Sequence, residues 1–125
     1  MDRESGGGIL LTPRGPAGTG DGGHGRGLMQ IDDRYHKAWI DLNLWQIASE
    51  NIRYAVTHIL LPNLDQLGGI PAAIAAYNAS FEKVWEVVAE FGQDVDRLDV
   101  LTTHGDYVSD VLARVQLLQG DNAWT

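Results

Sequence analysis

After residue 42 apolar side chains recur at three- and four-residue steps, which is a helical period. Leu44, Ile47, Ala48, Ile52, Ala55, Val56 and Ile59 form the first stripe. Asp41 or Asn43 is placed to cap its start, and Pro62 to stop or kink it. Gly68-Gly69 supplies a C-terminal stop, and Pro71 suits a first helical turn. Pro71 to Asn78 then reads as a short alanine-rich helix and Phe81 to Phe91 as another. In the second, Val84, Trp85, Val87, Val88 and Phe91 lie mostly on one side, and Gly92 ends it. Asp106 is expected to cap a last helix with Val108, Val111, Leu112, Val115 and Leu118 as its apolar stripe. The residues after Gly120 are expected to fray, with Trp124 available to dock on the body.

The first quarter of the chain follows no such period. Residues 5–27 hold ten glycines and two prolines in twenty-three positions, the pattern of a loop or a twisted hairpin. Ile9-Leu10-Leu11-Thr12 is the only strand-like run there. A loop of this length in a small domain is functional or disordered. Glu4 and Asp32 bracket it and Asp21 lies inside it, which favours function. The expected fold is therefore mainly α, with a glycine-rich loop or small hairpin at the active site. There is no internal repeat, and residues 1–125 make one domain by size.

Composition narrows the class. With 44% hydrophobic residues the chain can bury a core. It has no cysteine, hence no disulfide and no thiolate zinc site. No apolar run has the length of a membrane span. Met1-Asp2-Arg3-Glu4-Ser5 lacks the apolar segment of a signal peptide. The net charge is −8, and residues 37–125 carry five basic and twelve acidic groups. Such a chain repels nucleic acid, so nucleic acid is not an expected partner. Any glycan recognition must rest on hydrogen bonds and stacking rather than on a basic field.

Three carboxylates could carry chemistry. Cleaving a glycosidic bond needs a proton delivered to the leaving oxygen, and a carboxyl group does this near neutral pH only where burial raises its pKa. Glu4 precedes Ser5-Gly6-Gly7-Gly8, where the absence of side chains gives a sugar access. Taken alone it reads more readily as an exposed charge. Asp21 and Asp32 could hold a water across the sugar from the acid, or could be a turn residue and a cap. Gly18-Thr19-Gly20-Asp21-Gly22-Gly23 fits the dinucleotide pattern G-x-G-x-x-G, but no strand feeds it and no strand–helix alternation follows. His24, His36, His58 and His104 show no two-ligand helical spacing, so no metal is expected.

The ordered motifs resemble goose-type lysozymes and, more broadly, soluble lytic transglycosylases of glycoside hydrolase family 23. Arg3-Glu4-Ser5 is similar to the family's catalytic Glu-Ser, and Gly18-Thr19-Gly20-Asp21 to its Gly-x-Gly-Asp. Gly25-Arg26-Gly27-Leu28-Met29-Gln30-Ile31-Asp32, with Arg34 and His36 after it, resembles the most characteristic stretch. Ala73-Ile74-Ala75-Ala76-Tyr77-Asn78-Ala79 resembles the Tyr-Asn helix, and Thr102-Thr103-His104-Gly105-Asp106-Tyr107-Val108 the entry to the last helix. The resemblance implies a lysozyme-like domain hydrolysing the β-1,4 bond between N-acetylmuramic acid and N-acetylglucosamine with inversion. Glu4 would be the general acid, and Asp21 and Asp32 would hold and activate water. Ser5, Gln30, His36, Tyr77, Asn78 and Tyr107 would line the substrate groove. No cofactor is implied. The partner would be peptidoglycan, met by a monomer at the cell wall, whether extracellular, periplasmic or phage-delivered.

Some positions depart from the family pattern. The family carries helices before its catalytic Glu, and here three residues precede Glu4, so the domain is expected to lack them. Arg26 stands where an aromatic is common, and Ser80-Phe81-Glu82 where small residues are usual. Alternatives on the same frame are lytic transglycosylation with an anhydro product, chitin cleavage, and glycan or partner binding without cutting.

Overall fold

A computed structural model describes the backbone of residues 2–120 and the side chains of residues 3–116. Trp124 and the side chain of Leu118 lie outside the described residues. The chain is mainly helical with one small antiparallel sheet, and it divides into two units, Met1–His58 and Ile59–Thr125. No helix among the described residues is long and apolar enough to cross a membrane.

The first unit opens with α1 (Asp2–Ser5) and a 3-10 turn at Gly6–Gly8. Three two-residue strands follow: β1 (Thr19–Gly20), β2 (Gly25–Arg26) and β3 (Ile31–Asp32). They pair in chain order, with Gly25 facing Gly20 on one side and Asp32 on the other. The Ile9–Thr12 run is not a strand, and only Thr12 forms a lone bridge, with Thr19. The physical reason is the turn before it. Gly6, Gly7 and Gly8 all have positive φ and fold the chain back, so that Gly8 accepts backbone bonds from Leu11 and Gly15. Leu11 is buried there while Ile9 and Leu10 face solvent, 64% and 74% exposed.

Short α2 (Lys37–Ile40) and a 3-10 turn at Leu44–Gln46 lead to α3 (Ala48–Ala55). Neither expected cap starts α3. Asp41 pairs with Lys37 at 2.7 Å, Asn43 takes φ 61 ahead of the 3-10 turn, and Ile47 is the residue before the helix. Asn51, fully buried on α3, latches the hairpin. It accepts from the Met29 N–H at 2.8 Å and donates to the carbonyls of Arg26 and Trp45 at 3.0 and 3.1 Å. A π turn at Val56–Leu60 follows α3.

In the second unit, α4 (Leu61–Leu67) continues from the π turn and holds Pro62 as its second residue, whose missing N–H cannot bond back to the preceding turn. The helical run is not stopped at Pro62 but changes pitch there, passing through the π turn immediately before it. Then come α5 (Ile70–Asn78), α6 (Phe81–Phe91), α7 (Val95–Asp99) and α8 (Tyr107–Gly120). Alanine-rich α5 is central, packed by α4, α6, α7 and α8. Its small side chains Ala72 and Ala75 join Leu67, Val84, Leu98 and Val108 in the core. Gln93 stitches α4 to α5, accepting from the Ala72 N–H and donating to the Leu67 carbonyl, both at 2.9 Å.

The α6 boundaries match the sequence pattern, but its stripe is narrower. Val84 is buried and Val87 and Val88 pack on the core, while Trp85 and Phe91 are about half exposed. Trp85 stacks on Phe81, and the Arg97 guanidinium covers Phe91 at 3.6 Å. On α8, Val108 and Leu112 meet the core, whereas Val115 is exposed. The start of α8 is capped from α7. Buried Asp99 accepts from the Val108 N–H at 2.6 Å and from Ser109 at 3.3 Å, while the Asp106 carbonyl takes the Asp110 N–H.

Candidate active site

Glu4 lies on α1, immediately before the glycine turn. The Ser5 hydroxyl, fully buried, accepts from the Gly8 N–H at 3.1 Å and pins that turn to the residue after the acid. Glu4 itself is partly buried. Burial pushes its carboxyl from the ordinary 4.5 up to about 7, although the neighbouring Arg3 pulls the other way. A carboxyl group with that affinity holds a proton near neutrality and can give it up to a leaving group.

The sheet register sets Asp21 and Asp32 on opposite sides of β2, and Arg34 links them. Gly20 and Asp32 face Gly25 from opposite sides, and Asp21 follows Gly20 with φ 51. Arg34 closes the pair. Its Nε and Nη2 donate to the two Asp32 oxygens at 2.9 and 2.6 Å, and its backbone N–H to Oδ1 at 2.9 Å. The same Nη2 reaches Asp21 Oδ2 at 3.5 Å. These Arg34 hydrogen bonds hold the Asp32 carboxyl below its usual range, against a smaller opposing effect of burial. Asp33 beside it is likewise lowered, first by its bond to His24 at 2.8 Å and then by Arg26 at 2.9 Å. His24, Asp32 and Asp33 offer three ligand atoms within 4.8 Å of one another. Arg26 and Arg34 already occupy both carboxylates, a donor set that suits ion pairing better than a cation.

Gln30 is committed to the hairpin. Its Nε2 donates to the carbonyls of Gly25 and Gly27 at 3.2 and 2.8 Å. Its Oε1 lies in the space that a Cβ on Gly20 or Gly25 would enter, so a side chain at either position would displace the Gln30 amide. The His36 ring meets the Tyr54 hydroxyl at 2.8 Å, and burial holds its pKa below the usual value. Tyr54 is itself stacked between Trp39 and His58, with centroids 4.1 and 4.5 Å away. Sequence reasoning missed this aromatic stack. The signal was the i, i+4 spacing of Tyr54 and His58 together with the i, i+3 spacing of His36 and Trp39.

In the second unit, Asn78 ends α5 and accepts from the Thr103 N–H at 2.8 Å. It thereby ties the Tyr-Asn motif to the turn that enters α8. Tyr77 is partly buried beside it. Tyr107 is buried at the head of α8, its N–H donating to the Thr102 hydroxyl at 3.2 Å.

A family model described as "LysG: Lysozyme g" matches residues 1–121. The chain is 32% identical to "Lysozyme g" of Gallus gallus over 121 residues, 93% of this chain and 52% of that one. It is 33% identical to "Lysozyme g" of Struthio camelus over 104 residues, 79% of this chain and 47% of that one. The chain thus spans about half the length of the curated relatives it matches. No solved structure matches it significantly.

Proposed function

We propose that this chain, which belongs to the lysozyme g family, cuts peptidoglycan glycan strands at the β-1,4 bond between N-acetylmuramic acid and N-acetylglucosamine. Glu4 protonates the glycosidic oxygen as the bond to C1 breaks. A water held by Asp21 and Asp32 attacks C1 from the opposite face and loses its proton to that pair, which gives the inverted sugar. His36 in the first unit and Tyr77 and Asn78 in the second are proposed to meet the sugar chain, with Ser5, Gln30 and Tyr107 supporting the backbone around them, and the enzyme works at the cell wall as a single chain.

One observation carries this reading. The carboxyl groups are driven apart in proton affinity, Glu4 upward by burial and Asp32 downward by Arg34. Such a split is how a site obtains an acid and an ionised partner at one pH. The name shared by the relatives supports the same chemistry.

The test is clearance of isolated bacterial walls by the parent and by Glu4→Gln, with mass spectrometry of the released fragments. The parent clears walls and yields reducing ends, and Glu4→Gln does neither. Equal clearance by both would remove Glu4 from the reaction. Anhydro ends would replace hydrolysis with lytic transglycosylation.

A further inference from the structure

We propose that Arg34 is a positioning residue that divides the work of the two aspartates, anchoring Asp32 and leaving Asp21 to take the proton of the attacking water. This rests on the hydrolytic reading above and gives distinct roles to a pair that reading treats as equal.

Hydrogen-bond capacity supports the division. Asp32 receives three donors from Arg34 alone, two on Oδ1 and one on Oδ2, at 2.6 to 2.9 Å. A paired fork of this kind is short, directional and charge-assisted. Three of the roughly four lone-pair sites of Asp32 are thereby taken, which leaves it less room than Asp21 to accept a proton from water. Asp21 takes one contact from Arg34, at 3.5 Å, the outer limit of a hydrogen bond. Its side chain is 72% exposed, against 28% for Asp32. Asp21 therefore keeps open lone pairs and access to water.

The surroundings act in the same direction. His24 adds positive potential at Asp32, and His36 lies close enough to feel the Asp32 charge. Asp33, the nearest like charge in sequence, is itself paired with His24 and Arg26. Asp21 is held in the left-handed region between Gly20 and Gly22, which sets the direction in which its Cβ leaves the turn. Arg34 spans from the end of β3 to the turn after β1, so it also sets the gap between the two carboxylates.

Two measurements test this. The first is turnover with and without azide, a nucleophile that needs no general base. Azide is expected to restore Asp21→Ala, forming the C1–N bond as the glycosidic C–O bond breaks and giving the inverted glycosyl azide. It is expected to leave Asp32→Ala inactive. Arg34→Gln should lower kcat roughly 10- to 100-fold with little change in KM, the scale of a displaced catalytic group, and Arg34→Lys should recover part of it. As the pair is solvent-exposed, Arg34→Gln should move the melting temperature by only about 2 °C. The second measurement is carboxyl-carbon NMR titration, which does not depend on activity. Arg34→Gln should raise the Asp32 titration, which the Arg34 hydrogen bonds hold down.

Rescue of Asp32→Ala instead of Asp21→Ala overturns the proposal, as does parental kcat in Arg34→Gln or an Asp32 titration that stays put. If Glu4→Gln is inactive while these controls fail, this inference alone is lost. If Glu4→Gln and both aspartate variants turn over like the parent, the hydrolytic reading falls with it.

Discussion

Replacing Glu4 by Gln should make the protein more stable, by an amount that grows with pH. The folded carboxyl titrates at about 7 and the unfolded one at 4.5. Below about pH 4.5 both states hold the proton, and an amide replaces a neutral acid at little cost. Between those values the folded state keeps a proton that the unfolded state has released. The parent therefore loses stability as pH rises through that window, and the loss is complete above the folded value. At 1.36 kcal/mol per pH unit it reaches about 3 kcal/mol. Gln does not titrate, so its advantage rises from near zero at about pH 4 to about 3 kcal/mol at about pH 8. For a chain of this size that is roughly 10 °C in melting temperature. Thermal melts of both proteins followed by circular dichroism, at fixed ionic strength across that range, measure it directly. A stability difference that stays constant with pH would mean that the Glu4 carboxyl is solvated and ordinary, and the proposed acid would lose its physical basis.

Asn51→Ala should cost about 3 to 5 kcal/mol in denaturant unfolding, because it orphans the Met29 N–H and two carbonyls in a buried place. A loss below about 1 kcal/mol would mean water replaces the amide. Asp99→Ala should cost about 2 kcal/mol by removing the carboxylate at the head of α8. Amide exchange should then quicken first at Val108 and Ser109, and uniform quickening would argue against a capping role.

The legible part of the fold was the punctuated part. Gly69, Pro71 and Gly92 bound α5 and α6, and the apolar period between them was long enough to read, whereas the Ser80 cap of α6 went unread. Strands of two residues carry no alternation, so β1 to β3 left no periodic trace, and Ile9–Thr12 offered a better strand pattern than any true strand. Short α7 was missed although Asp94 caps it, accepting from the Arg97 N–H at 3.2 Å. At the candidate site, Glu4, Asp21 and Asp32 were identified by family motif. The clamp by Arg34 was not legible, since it depends on a register that pairs Gly20 and Asp32 with one residue. The same holds for Asn51, whose three partners lie 6 to 25 positions away.

The exposed pair Ile9-Leu10 has a consequence for the protein's lifetime in a protease-rich setting. Exposed loops are the places where proteolytic nicking concentrates, and Ile9 and Leu10 stand on one. A single cut there would break the chain between the proposed acid, Glu4, and both aspartates. Inactivation would then be irreversible and would need no inhibitor.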